Sequence, residues 1–548
     1  METPIGIRLN QIGFFENGEK LAVVASNHSE EFSVVDLSGK IVYSGKVGQK
    51  EFWDKSGEEE SVINFSEFTQ KGNYYLVSGE IRSHQFEISD NPFNELLKAG
   101  IKSYYFNRAS TSLESEFAGE YVRDFSHPDT LIFIHETASS EERPAGSTIS
   151  APFGWYDAGD YNKYIVNSGI STYTLLLAYE QNQDLFDTLT WNIPESTNEI
   201  PDILDEILWN IKWMEAMQDP QDGGVYHKLT TANFESFVFP TEAKNKRYVT
   251  AKGTAAALNF CAVMARMSSI IQPYDSNYSG QLLEKAKNAW KWATLHPNLP
   301  FKNPAEEINQ YPPIKTGEYG DKNFEDEFFW AATELYKVTG DSSYYINYPL
   351  ESISRFRTPG WNSVASLGLI SLATAKGIDV DDKLKAKASE ILVNLADSLV
   401  IQRESSPYRI TLNKFPWGSN AVILNEGMIL LNAFNLRGNV KYYNAALSGL
   451  DYVLGRNPLG YCFVTGFGER SPLNIHHRQS ASDNVMDPIP GLLAGGPNPG
   501  NVAQDCGEDK YPNKLPALCF IDEECSFSTN EVAINWNAPL VYVTASLK

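Results

Sequence analysis

Cysteine is scarce in this chain. Five occur in 548 residues (Cys261, Cys462, Cys506, Cys519 and Cys525), and none forms a CxxC. That spacing excludes a zinc finger and leaves one disulfide open among the last three, without fixing the pair. Basic residues are also short, 45 Lys and Arg against 69 Asp and Glu, for a net charge of −24. A field of that sign repels phosphate backbones and anionic lipid, so neither nucleic acid nor a membrane is an expected partner; a neutral ligand is indifferent to it. No run reaches the roughly 18 consecutive apolar residues of a membrane span. The opening METPIGIRLNQ lacks the basic-then-apolar order of a signal peptide. No fixed short-period repeat is found, which disfavours a solenoid.

Aromatic rings, by contrast, are plentiful: 28 Tyr, 29 Phe and 11 Trp. Most fill cores, and a surplus suits clefts for flat, partly apolar ligands such as sugars. The length calls for one large domain and a small one. Residues 1–90 hold short β-rich runs broken by turn signals: IGIRLNQIGF, KLAVVAS, EFSVVDL–SGK–IVYSGKV, SVINF, GNYYLVSG and HQFEI. That spacing predicts a small β-sandwich.

From residue 93 to 548 the period is helical. In IPDILDEILWNIKWMEAMQ, Ile203, Ile207, Ile211 and Met214 share one face. Further helices are expected at 165–180, 251–271, 280–295, 325–338, 364–376, 383–400, 420–434, 441–454 and 531–547. The segment 251–271 carries small residues where a close neighbour would press. The fold class is mostly α, antiparallel helical hairpins wound into one domain behind the sandwich. Long loops hold the unusual residues, as in a cleft built on a scaffold.

Three stretches carry chemistry. GWYDAGDYNKY places Asp157 and Asp160 three apart, crowded by Trp155, Tyr156, Tyr161 and Tyr164. Asp160 alone reads equally as an N-cap or turn former for the helix at 165. Two acids among rings suit a carboxylate that orients water beside one that tunes it. In GYCFVTGFGERSPLNIHHRQS, His476, His477 and Arg478 form a donor cluster suited to hydroxyl groups. In CSFSTNEVAINWNAPLVYV, Glu531 opens the last expected helix, where a first-turn acid would be favoured by the dipole. Asn530, Asn535, Trp536 and Asn537 instead suggest a part-aromatic wall that raises a carboxyl's pKa. His227, after a Gly-Gly turn, and Trp417, at a loop-to-helix junction, are each weak alone.

Together DAGDYNKY, GGVYHK, DEFFWAATELYKVTGD, WGSN, LGRNPLGYCFVTGFGERSP…HHR and NEVAINWNAPL resemble, in order, glycoside hydrolase family 9, the cellulase family with an (α/α)6 barrel. The NEVAINWNAP ending is similar to that of bacterial members with an immunoglobulin-like domain before the barrel, in keeping with the β-rich start. The resemblance implies that Asp160 is the general base, that Asp157 holds the same water, and that Glu531 protonates the departing oxygen. It implies that His476 and Arg478 bind the sugar beside the scissile bond, with His227 on the opposite wall and Trp417 stacked on a glucose face. Tyr156 and Trp536 are further rings expected at the sugar; Trp536 stands where several relatives have Tyr. Direct attack by water inverts the anomeric centre and requires carboxyls roughly 6.5–9.5 Å apart, so the acid must come from outside the DAGD loop.

No cofactor is required for such chemistry. Some members bind zinc before DAGD through cysteine and histidine. Here EYVRDFSHPDTLIFIHETASS keeps His127 and His135 without a cysteine, and zinc is not expected. Some bind a structural calcium near the Asp-Glu matching Asp326 and Glu327; an aspartate supplied further on is Asn362 here, which weakens such a site. The function expected is an inverting endoglucanase on β-1,4-glucan, polysaccharide or oligosaccharide, acting as a monomer. The alternatives are an exo-acting hydrolase of short β-1,4-oligosaccharides, such as an exo-β-glucosaminidase or cellobiosidase, and a non-catalytic carbohydrate-binding protein. Because a polymer cannot enter a cell, secretion or a periplasmic place is expected, and a cytoplasmic oligosaccharidase is the alternative.

Overall fold

The alternating runs near the N-terminus pair as strands in a computed structural model that describes residues 6–25, 29–375 and 380–547. They are β1 (Ile7–Arg8), β2 (Gly13–Phe15), β3 (Leu21–Ala25), β4 (Glu31–Asp36), β5 (Ile41–Lys46), β6 (Lys50–Trp53), β7 (Glu58–Asn64), β8 (Gly72–Ser78), β9 (Ile81–Arg82) and β10 (Phe86–Ser89). One sheet has the order β1-β3-β7-β6; the other is β2-β10-β8-β4-β5, with β9 on β8. Pairing is antiparallel except between β2 and β10. Inward residues such as Phe14, Val24, Phe32, Val34, Ile63, Leu76 and Phe86 meet in one core. β6 was not legible in advance: it is an edge strand reading KEFW, and two charges hide its alternation.

The chain divides into two compact units. The first comprises Met1–Ser103, Val393–His476 and Met486–Lys548; the second comprises Tyr104–Leu392 and His477–Val485. In the first, the sandwich is fused to helical chain. Trp53 packs with Tyr408, Ile410, Leu412, Phe415, Ile423 and Tyr452. Buried Arg8 forms an ion pair with Glu58 at 2.7 Å and donates to Tyr408, and Asn10 donates to Asp451 at 2.8 Å. The helix Ser419–Arg437 packs on Val440–Val453 and on Ile534–Ser546.

In the second unit, Ile165–Gln181 packs on Asp202–Ala216 and on Thr254–Ile271, and the latter packs on Ser276–Leu295 and Glu325–Thr339. Thr254–Ile271 is long and apolar enough to cross a membrane, but 89% of that window is buried inside the protein. The remaining long helices are Asn94–Phe106, Ala365–Ala373 and Asp382–Ser405; the expected end of the 364–376 helix at Lys376 lies outside the described residues. The last helix starts at Ile534 rather than 531. One feature was not anticipated: a five-stranded sheet inside the helical region, ordered Thr148–Ile149, Ile132–Ile134, Arg247–Val249, Lys228–Thr231, Lys163–Tyr164. Strands of two to four residues are too short for a period to show.

A close crossing on Thr254–Ile271 does occur, but the small residue in it is Gly169 of the neighbouring helix Ile165–Gln181, facing Asn259. A Cβ there would lie 2.6 Å from Oδ1 of Asn259 and 2.9 Å from its Cβ. Gly169→Val is expected to overpack this crossing at a cost of about 1–3 kcal/mol, read as a lowered melting temperature. An unchanged melting temperature would mean that the two helices separate freely.

Candidate active site

The acidic loop is held from both ends. Gly154 takes φ +80, a conformation that suits glycine, and its amide donates to Trp209 O at 3.1 Å. Trp155 is fully buried and donates to Glu206, which pairs with buried Arg108 at 2.9 Å. On the far side, Lys163 and Tyr164 pair with Leu229 and Lys228. The buried Lys163 ammonium pairs with Asp129 at 2.8 Å. Within the loop, the Asp157 amide donates to Asn162 O at 3.0 Å and closes the turn. The helix that follows takes Tyr164 as its N-cap, so Asp160 caps nothing.

Both carboxylates are buried, and they are bonded unequally. Asp157 accepts from Asn167 Nδ2 on Oδ1 at 2.6 Å and from the Tyr319 hydroxyl on Oδ2 at 2.8 Å. Asp160 accepts on Oδ2 alone, from the Asn162 amide at 3.3 Å, from its Nδ2, and from the Tyr164 hydroxyl at 3.3 Å. Its Oδ1 accepts no hydrogen bond among the described residues. Burial, then the charge of Asp160, drives the Asp157 carboxyl well up. Burial also raises Asp160, opposed first by the Arg478 guanidinium and then by the bonds from Asn162. Neighbouring carboxyls taken out of water hold on to a proton between them, and Arg478 tips the remaining charge to Asp160. What results is one acid with an open oxygen, facing Arg478, beside another whose two oxygens are both bonded.

Arg478 does this from a different position than expected. Its Nη1 and backbone amide both donate to Gly159 O, at 2.7 and 3.1 Å, and its Nε donates to Glu235 O at 2.7 Å. It is 6% exposed, with its guanidinium 5.0 Å from the centre of the Phe237 ring. Arg478 therefore positions the acidic loop, and its Nε and Nη1 are spent on backbone. His227 also departs from expectation. It is fully buried, stacked on Phe301 at 3.9 Å, and bonded through Nε2 to Glu318 O at 2.9 Å. Burial and the adjacent Lys228 push its pKa down to about 3, so it is a neutral prop under the 318 backbone instead of a wall facing sugar. Tyr156, 1% exposed, is likewise interior: its hydroxyl meets His127 Nδ1 at 2.7 Å and its ring packs on Tyr161.

Tyr319 was not singled out in the sequence. Its hydroxyl binds Asp157, and its ring meets Tyr164 at 4.8 Å and Trp361 at 5.2 Å. Lys228 was missed as well. Its ammonium bonds Asn303, Thr316 and Gly317 O, and burial pushes its pKa down to about 7 against the pull of Asp160. Nothing in GEYGDKN or YHKLT marks these roles; Tyr319 and the partners of the Lys228 ammonium lie in loops far from the acidic stretch in sequence.

The first unit holds the other cluster. Glu531 lies in extended chain at φ −70, ψ 160, between the helices Phe527–Asn530 and Ile534–Ser546, so the first-turn reading fails. Its backbone forms a parallel bridge with His476, whose amide donates to Asn530 O at 3.0 Å. The half-buried His476 ring donates from Nδ1 to Glu524 O at 2.7 Å; a carbonyl only accepts, which fixes the tautomer. Phe527 links His476, at 6.0 Å, to Trp417, at 5.5 Å, and Trp417 is 44% exposed. Trp536 presses on Gly418, where a Cβ would lie 2.7 Å from its Nε1. Sequence reasoning passed over Asp522. Its two oxygens accept from the amides of Leu473 and Asn474 at 2.9 Å, from Asn530 Nδ2 at 3.0 Å and from the Tyr461 hydroxyl at 3.1 Å. It thus braces the segments carrying His476 and Glu531. Cys506–Cys525 is the disulfide left open above, and Cys261, Cys462 and Cys519 are buried thiols. His477 is buried in the second unit, with Nδ1 2.9 Å from Ser480 Oγ.

The calcium expectation does not fit the residues present. Among the described residues no group of three or more Asp, Glu, His or Cys is arranged to hold a metal ion. Asp326 spends Oδ2 on the Val364 amide at 2.8 Å. Glu327 is fully buried with Oε2 unbonded, and burial, then Asp326, drives its carboxyl far up.

The paired acids of the second unit, and the glutamate and aromatic row of the first, are residue types that glycoside hydrolysis uses. Residues 93–544 match glycosyl hydrolase family 9, and residues 2–83 match the cellulase N-terminal ig-like domain. The chain belongs to that family, with its fold of an (α/α)6 barrel behind an immunoglobulin-like sandwich. It is 42% identical to a xyloglucan-specific endo-β-1,4-glucanase of Bacteroides ovatus, covering 99% of this chain and 93% of that one. Endoglucanase D of Acetivibrio thermocellus is 32% identical over 98% of this chain and 83% of its own length. A solved structure of a Bacteroides ovatus family 9 protein superposes with a TM-score of 0.92 at 40% identity, covering 99% and 98% of the two chains.

If Arg478 holds Asp160 ionised, Arg478→Met will raise the Asp160 pKa. Where turnover needs Asp160 ionised, the acid limb of kcat/KM is expected to move to higher pH. A limb that stays in place would show that the guanidinium does not act on Asp160.

Proposed function

We propose that this glycoside hydrolase is an endo-β-1,4-glucanase in which Asp160 is the general base and Glu531 the general acid. The observation that carries the base assignment is the unequal bonding of the acidic pair. Asp157 has both oxygens occupied, whereas Asp160 keeps Oδ1 open to a water and carries the charge that would take its proton. Asp157 is fixed by Asn167 and Tyr319, each of which takes one acceptor position on one oxygen, and its remaining lone pairs hold the same water. Glu531, next to His476 and the Phe527–Trp417 row, protonates the leaving oxygen, and the exposed Trp417 ring is the platform for a glucose face. Trp536 and His476 complete that wall, and Arg478 contributes by holding the loop of the base.

The names of the relatives favour β-1,4-glucan, and the most identical of those cited makes xyloglucan the first branched substrate to assay. The disulfide favours an oxidising compartment, hence secretion or the periplasm. We read residues 1–90 as a structural domain and 93–548 as the hydrolytic one.

Asp160→Asn and Glu531→Gln are each expected to lower turnover by at least about a hundredfold. Near-full turnover in either removes the assigned role. On carboxymethylcellulose and xyloglucan, viscosity is expected to fall well ahead of the release of reducing ends; release without loss of viscosity would make the enzyme exo-acting.

A further inference from the structure

Lys228, on the strand Lys228–Thr231 of the second unit, is a fully buried cation that takes no part in the proton transfers assigned to Asp160 and Glu531. None of its hydrogen-bond partners is charged. Its ammonium donates to Asn303 Oδ1 at 2.7 Å, to the Thr316 hydroxyl at 3.0 Å and to Gly317 O at 2.7 Å. Three acceptors fill the three donors of an ammonium, so the group is spent entirely on residues 303, 316 and 317. Burying a charge among neutral partners costs free energy that an apolar side chain of similar length would not. That cost falls where the chain turns toward the acidic pair.

The segment that Lys228 holds leads into Tyr319, and it is docked along the strand on both sides of that hold. The Lys315 amide donates to Ala232 O at 2.8 Å, and the hydroxyls of Thr316 and Thr230 meet at 2.6 Å. Asn303 Nδ2 donates to Thr316 O at 2.8 Å, and His227 Nε2 donates to Glu318 O at 2.9 Å. Two residues beyond Gly317, the Tyr319 hydroxyl donates to Oδ2 of Asp157 at 2.8 Å. Clearance at this turn is small. A Cβ on Gly317 would lie 3.3 Å from the Tyr319 ring and 3.3 Å from the Tyr164 hydroxyl, which itself donates to Asp160. The 317 backbone is therefore lodged between the two rings whose hydroxyls touch the acids.

We propose that Lys228 is a positioning residue for hydrolysis: by holding Thr316 and Gly317 it places the Tyr319 hydroxyl on Asp157, and so fixes the acid that shares the attacking water. It touches neither sugar nor reacting atoms. The inference rests on the roles given to Asp157 and Asp160 in the β-glucanase reading. A hold of this kind acts on turnover more than on binding, because a misplacement of about 1 Å in a reacting group costs up to ~100-fold in rate while the contacts to substrate stay.

The test is a double-mutant cycle with Tyr319→Phe, read as kcat and KM on carboxymethylcellulose with the melting temperature of each variant measured alongside. Lys228→Met is expected to lower kcat about tenfold with KM nearly unchanged. In the Tyr319→Phe background, where the hydroxyl is already gone, the same change should cost less than about twofold, as for residues that act through one contact. Asn303→Ala, a half-buried change that removes one acceptor of the ammonium, should fold even if Lys228→Met does not. It is expected to lower kcat about threefold, again only where Tyr319 keeps its hydroxyl. Parental kcat with a lowered melting temperature or a raised KM, or equal factors in both backgrounds, overturns the positioning role. Near-full turnover in Asp160→Asn overturns the functional reading instead; lost turnover there beside equal factors in the cycle overturns the role of Lys228 alone.

Discussion

Two carboxyl groups three residues apart, both removed from water, are the constraint on which the second unit is built. Left alone, such a pair would take up protons and lose its use as a base. The structure answers by treating the two acids differently. One is tied at both oxygens by Asn167 and Tyr319; the other faces Arg478 and keeps an oxygen open. The desolvation that costs stability also makes the remaining carboxylate more basic.

Much of the surrounding architecture can be understood as support for that asymmetry. The short sheet fixes Lys163 and Tyr164 behind the loop, and Asn162 joins it to Thr231. Arg478 clamps Gly159 from a segment more than three hundred positions away in sequence. Two positions before Arg478, His476 is bridged to Glu531. Asp522 and the Cys506–Cys525 disulfide brace the Glu531 side with hydrogen bonds and a covalent link in a region that is mostly loop.

The sandwich and the long helices were legible because their burial repeats with the period of the element: β8 alternates strictly, and the helices predicted near 165, 325 and 441 fall within a residue or two of their places. The fold class followed from that alternation and from the ordered motifs. Reading failed where geometry depends on distant partners. Asp160 looked like a cap because a helix starts nearby, but the cap is Tyr164. His227 and Tyr156 have the chemistry of sugar contacts, yet Phe301 and Tyr161 seal them inside. Arg478 was expected to grip hydroxyls; nothing in H-x-R shows that its partner is a backbone carbonyl of the acidic loop. Tyr319 and Asp522 were invisible for the same reason, since each matters only through what it touches.

The central claim is that Asp160 drives water directly onto the anomeric carbon, with no covalent intermediate. The stereochemistry of the first product tests it most directly. Early in hydrolysis of a soluble β-1,4-glucan, before mutarotation, proton NMR should show the new reducing end as the α-anomer. A β-anomer appearing first would mean retention through a carboxylate nucleophile, and the roles assigned to Asp157, Asp160 and Glu531 would be wrong.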